Sequence, residues 1–198
     1  MKVHQILAAI SLVLPGVVAA QAANSDPHSH PAAMTSPAAA TASEAIFKQI
    51  KSLAGTWKGA VSTVPAVPQM EGDSMTVTMR VTSLGNAIMH NMRSPKRPDD
   101  PITMLYLEND RLLLTHYCDS GNRPRMEASI SPDGKTVTFQ FVDLVGPTTY
   151  GHMNRAVFTF IDDHHHVEEW TYILPDNKGS VLARFDLHRA LVAKNAAE

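Results

Sequence analysis

Met75–Val81, MTVTMRV, alternates without a break. Met75, Val77, Met79 and Val81 fall on one side of an extended chain, and Thr76, Thr78 and Arg80 on the other. Successive strand side chains point to opposite faces, so this is the signature of a strand with one buried face. Lys135–Phe141, KTVTFQF, repeats the pattern, with Val137, Phe139 and Phe141 opposite Thr136, Thr138 and Gln140. Turn signals recur between such runs: SLGN, ENDR, SPDGK, DDHH and PDNKG. The spacing predicts about ten strands, near 56–64, 73–83, 86–93, 102–108, 111–118, 124–131, 135–143, 152–162, 165–174 and 180–190. No helical period interrupts them, which excludes a parallel βαβ sheet. Short sequential turns favour one all-β, antiparallel up-and-down barrel, whose closure leaves no free sheet edge.

Upstream of the strands the period changes. In SEAIFKQIKSLAG, Ile46, Phe47, Ile50 and Leu53 share one helical face. Ser43 is a candidate cap and Gly55 the stop, so a short amphipathic helix precedes the barrel. The first 22 residues resemble a cleaved export signal: Lys2, an apolar run from Ile6 to Ala20 broken at Pro15-Gly16, then Ala20-Gln21-Ala22. Residues 23–43, rich in Ala, Pro, Ser and Thr, are expected to be a disordered linker. The expected organisation is a signal peptide (1–22), the linker (23–43), the barrel domain (44–190) and a short tail (191–198). The location is periplasmic or secreted, with no membrane span after cleavage.

Charge and cysteine usage narrow the classes. The net charge is −2, and −3 without residues 1–22, so nucleic acid is not an expected partner. A single cysteine, Cys118, excludes an internal disulfide. The sequence holds no G-x-S-x-G, H-E-x-x-H, C-x-x-C or phosphate-loop motif.

A barrel of this size can hold a small ligand, so the polar inward positions matter. Alternation puts Leu112, Leu114, His116 and Cys118 on one face, and Ile88, His90 and Met92 on another. It groups His152 with Asn154, Ala156, Phe158 and Phe160, and His166 with Glu168, Trp170 and Tyr172. Asp162–His166, DDHHH, is expected to be a solvated turn. In Cys118–Met126, CDSGNRPRM, a tight turn explains Gly121, Asn122 and Pro124. Arg125 is a candidate anion clamp at the mouth or the partner of an Asp such as Asp119 or Asp143. The candidate ligand-binding residues are Trp57, His90, His116, Cys118, Asn122, Arg125, His152 and Trp170. Met75, Met79, Met92 and Met104 are candidates for an adaptable lining. Haem or metal held by His90, His116 or His152 is a second possibility. An acid/base or thiol site built from His116, Cys118, Asp143, His152 and Glu169 is a third.

Leu53–Gly59, LAGTWKG, resembles the opening of lipocalin-like barrels, in which a G-x-W motif starts strand one and its Trp closes the base. With RLLLTHYCDSGNRPRM, TFQFVD, GHM and EEWT, the chain resembles an uncharacterised family of exported bacterial calycin-like domains over about residues 46–188. The resemblance implies fold and export. The opening GTWKG and the ten strands are also similar to nitrobindin-like barrels, which implies haem held by a histidine near the last strand. The candidate here is His188, which shares a face with Leu182, Arg184 and Asp186, a set suited to the outside.

Overall fold

The computed structural model describes residues 41–190. The export signal and most of the linker and tail fall outside them. The described chain opens with α1 (Ala42–Lys51). Its cap is Thr41 rather than Ser43. The Thr41 hydroxyl accepts from the Glu44 N–H, and the Glu44 carboxylate accepts from the Thr41 N–H. That reciprocal box satisfies two otherwise open donors of the first turn, and it moves the start of order into the stretch expected to be linker. Ile46, Phe47 and Ile50 are buried as the spacing predicted.

Ten strands follow: β1 (Gly55–Val64), β2 (Ser74–Thr82), β3 (Ala87–Arg93), β4 (Ile102–Glu108), β5 (Arg111–Tyr117), β6 (Arg123–Ile130), β7 (Thr136–Val145), β8 (His152–Asp162), β9 (His165–Ile173) and β10 (Ser180–Arg189). All neighbours are antiparallel, and β10 pairs back onto β1 to close the barrel. The all-β barrel with a leading short helix is therefore observed. Each pairing joins consecutive strands except the seam, which runs from Trp57 opposite Arg189 to Val64 opposite Leu182. At the seam Gly59 lies opposite Leu187. The backbones approach so closely that a Cβ on Gly59 would sit 1.7 Å from the Asp186 carbonyl oxygen.

α1 packs at the end where β1 and β5 begin, its apolar stripe merging with the interior residues Trp57, Leu112 and Leu114. The Trp57 indole N–H donates to the Leu53 carbonyl at 2.8 Å. Arg189 covers the Trp57 ring at 4.1 Å and donates to the carbonyls of Ala54 and Ser52. Trp57 therefore closes the base, a structural duty rather than a ligand contact.

Two expected orientations are wrong. Met104 lies opposite Met89 and Thr115 and points outward, because its neighbours Thr103 and Leu105 take the inward positions. His152 does not share the face of Ala156 and Phe158. Asn154 is an extra residue between the pairs Met153–Tyr172 and Arg155–Thr171. A bulge of one residue inverts the alternation beyond it. Met153 accordingly turns inward and His152 outward.

Candidate functional site

The inward row of β9 is His166, Glu168 and Trp170, all fully buried. A carboxylate in an apolar barrel is tolerated only with partners. Glu168 has three. His90 Nε2 lies 2.9 Å from Oε2, His166 Nε2 lies 3.1 Å from Oε1, and the Trp170 indole N–H donates to Oε2 at 3.0 Å. Burial alone would push the Glu168 carboxyl up. The charge of His90 and the hydrogen bonds from His166 and His90 outweigh it, holding the group ionised well below the usual carboxylate range. The Nδ1 atoms of His90 and His166 have no partner among the described residues. His166 also packs edge-on against Trp57 at 4.2 Å. The polar tier is thus wedged between the barrel base and Trp170.

His166 corrects the reading of DDHHH as a solvated turn. Asp163 and His164 make the turn, His165 faces outward, and His166 is inside. Counting back from Trp170 in steps of two would have found both Glu168 and His166.

Above Trp170, at the end opposite α1, the barrel opens into a cavity of about 600 Å³. Met70, Met75, Met92, Met153, Trp170 and Phe185 supply its apolar wall. Lys96, Arg97, Cys118 and Asp119 supply polar groups. Lys96 is paired with Asp73 and Arg97 with Asp119. His116 is buried yet reaches the cavity. Its Nδ1 is 2.8 Å from the Thr103 hydroxyl, and its ring lies 5.5 Å from that of Trp170. Among the described residues its Nε2 makes no hydrogen bond. Burial, reinforced by His90, pushes the His116 pKa down to about 4.

That shift predicts an acid-labile barrel. The unfolded histidine takes its proton near pH 6.5, and the folded one only near pH 4. Between these values the unfolded chain binds more protons, so stability falls with pH and the loss is complete below the folded value. At about 1.4 kcal/mol per pH unit, His116 alone accounts for about 3 kcal/mol between neutral pH and pH 4. Urea titrations across this window should give a markedly flatter pH dependence for His116→Gln. Equal slopes for variant and wild type would rule out His116 as the source.

The other expected site residues separate. Cys118 lines the cavity half-buried, its thiol donating to Asp119 Oδ1 at 3.5 Å. Burial raises its pKa, so it is a thiol rather than a thiolate at neutral pH. Asn122 is buried but serves the loops. Its amide donates to the carbonyls of Pro147 at 2.8 Å and Gly151 at 2.7 Å, pinning the β7–β8 connection. Arg125 is no mouth clamp. It forks onto Asp143 at 2.8 and 2.5 Å on the outer wall, which raises its pKa, and Glu108 stands 3.6 Å away. His152 packs on the exposed Phe141. Asp143, His152 and Glu169 are outside, so the thiol or acid/base cluster expected with His116 and Cys118 does not assemble. Of the eight candidates, His116, Cys118 and Trp170 meet in the cavity, and His90 lies beneath it.

No protein-family model matches the chain, and no curated protein matches it in sequence. Solved structures do. One is a protein of unknown function from the DUF3598 family of Nostoc punctiforme PCC 73102, at 12% identity and a TM-score of 0.49, covering 72% of this chain and 49% of that one. The chain thus spans about half the length of that neighbour. A second is Rv2717c from M. tuberculosis, at 13% identity and a TM-score of 0.52, covering 74% of this chain and 98% of that one. At this identity the likeness to Rv2717c is one of fold, and fold does not carry function.

Proposed function

We propose that this chain is an exported, calycin-like barrel that binds a small, partly apolar ligand without turning it over. The observation that carries the reading is the cavity of about 600 Å³ above Trp170. Its volume lies within the range of small-molecule pockets, about 300–1,000 Å³, and a mostly apolar wall with few polar groups is what such pockets have. Four methionines make the wall adaptable. His116 is the polar group that orients the occupant, since its ring nitrogen Nε2 is left without a protein partner. A neutral imidazole can donate or accept there, according to which way the Thr103 hydrogen bond runs. The proposed partner is a small amphipathic molecule; neither nucleic acid nor a membrane belongs to the reading.

Native mass spectrometry of the 198-residue chain, expressed in a bacterial host and kept non-denaturing, tests this. The expected result is a reproducible added mass that His116→Ala reduces. A bare chain mass, unchanged after incubation with lipid extracts and haemin, would overturn the reading.

Haem is a second reading, and one observation favours it. His116 is neutral at physiological pH and faces the cavity, as an axial ligand must. It requires Nδ1–H to donate to Thr103 Oγ1, leaving the Nε2 lone pair free. His90 is held by Glu168 and His152 is outside, so the reading rests on His116 alone. Haemin titration would then give a Soret band that His116→Ala abolishes.

A further inference from the structure

On the outer wall, far from any use in ligand binding, three side chains of β9 and β10 converge. His165 and His188 are direct cross-strand partners, and Asp186 lies two residues before His188 on the same face of β10. Asp186 Oδ1 is 2.9 Å from His165 Nε2 and 3.4 Å from His188 Nε2. The two imidazoles stack at 4.2 Å with their planes 17° apart, and the three ligand atoms lie within 4.8 Å of one another. Arg184 Nη2 holds the other carboxylate oxygen, Oδ2, at 3.4 Å, which leaves Oδ1 to the histidines.

We infer that His165, Asp186 and His188 bind a divalent transition-metal ion of the zinc class. Zinc takes imidazole nitrogen and carboxylate oxygen at about 2.0–2.2 Å, in tetrahedral sites. Ligand atoms at the corners of such a tetrahedron stand about 3.3 Å apart, by the geometry of those bond lengths. The observed separations of 2.9 and 3.4 Å already match two of those edges. The ion needs only to displace the Nε2 protons that now point at Oδ1. Two paired strands fix the backbone, so the site is rigid before metal arrives. Arg184 orients the carboxylate from behind, as second-shell donors do in metal sites. The solvent face is open: the His188 side chain is 66% exposed and that of Asp186 is 46%. A fourth position is therefore left for water or for a ligand from another molecule. The donor set of two nitrogens and one oxygen suits zinc over calcium or magnesium, which take oxygen.

Isothermal titration of zinc into the full chain, without a polyhistidine tag, is the test. One equivalent should bind, and the imidazole NMR signals of His165 and His188 should shift together. His188→Ala and Asp186→Asn, both at exposed positions, should each weaken binding at least about tenfold while circular dichroism stays native. His116→Ala in the cavity should leave zinc binding intact. Absence of zinc binding, or equal affinity in wild type, His188→Ala and Asp186→Asn, would overturn the assignment. Loss in His116→Ala alone would place the metal in the cavity and overturn it equally.

Discussion

Glu168→Ala is expected to cost the barrel about 3–5 kcal/mol, the usual penalty for removing one partner of a buried ion pair. The substitution leaves His90 Nε2, His166 Nε2 and the Trp170 indole N–H facing an empty space inside the barrel. None can reach water, because all three side chains are fully buried. For a chain of this size the loss corresponds to a melting temperature lower by about 6–20 °C. Glu168→Gln keeps the shape and one acceptor oxygen but removes the charge, so its cost should be smaller. The pH dependence adds a check. The folded Glu168 pKa lies below its ordinary value of 4.5, so its stabilisation is present above that value and fades as pH falls through the folded one. Wild type and Glu168→Gln should therefore converge in acid. If Glu168→Ala unfolds within about 1 kcal/mol of wild type at pH 7, the carboxylate is not the centre of the tier.

Gly59→Ala is expected to prevent closure. The added carbon would lie 1.7 Å from the Asp186 carbonyl oxygen, 2.7 Å from its carbon and 3.3 Å from Leu187 Cα. All three are backbone atoms, so no rotamer change relieves the clash. β1 and β10 would have to part at the middle of their pairing, exposing two strand edges. Far-UV circular dichroism should show lost β-structure, and gel filtration should show aggregates formed through those edges. Gly134→Ala is the control: nothing lies within 4 Å of a Cβ there. Its φ of +71° should cost only about 1–2 kcal/mol for the left-handed backbone. A Gly59→Ala chain with native circular dichroism and an unchanged melting temperature would refute the close approach.

Much of this architecture was legible because it is local. Alternation in MTVTMRV and KTVTFQF marks strands, and the turn residues between such runs place nearly every strand boundary within two residues of its observed position. The faces of β3, β5 and β9 follow from the same alternation, and so do the inward positions of His90, His116 and Trp170. The bulge at Asn154 left no mark in composition, so the inversion of His152 was not legible. Nor was the meeting of His90 with Glu168, which depends on how far each strand slides past the next. His165 and His188 meet for the same reason: partners 23 positions apart pair only through the register of β9 on β10. Arg125 shows the opposite limit. The pairing with Asp143 was foreseen as one of two fates, and only the third dimension decides between them.

The seam has a kinetic meaning. Nine of the ten strand pairings join neighbours in sequence and can form hairpin by hairpin, whereas β1 and β10 lie at opposite ends of the domain. Hairpins form in about 1–10 μs, while a contact between distant segments must await the ordering of the chain between them. The barrel therefore zips from within and locks last along Trp57–Val64, and its first opening under stress runs the same path backwards. Amide protons of β1 and β10 should then exchange ahead of those in β8 and β9, so the wall around the buried carboxylate outlasts the join that sealed it.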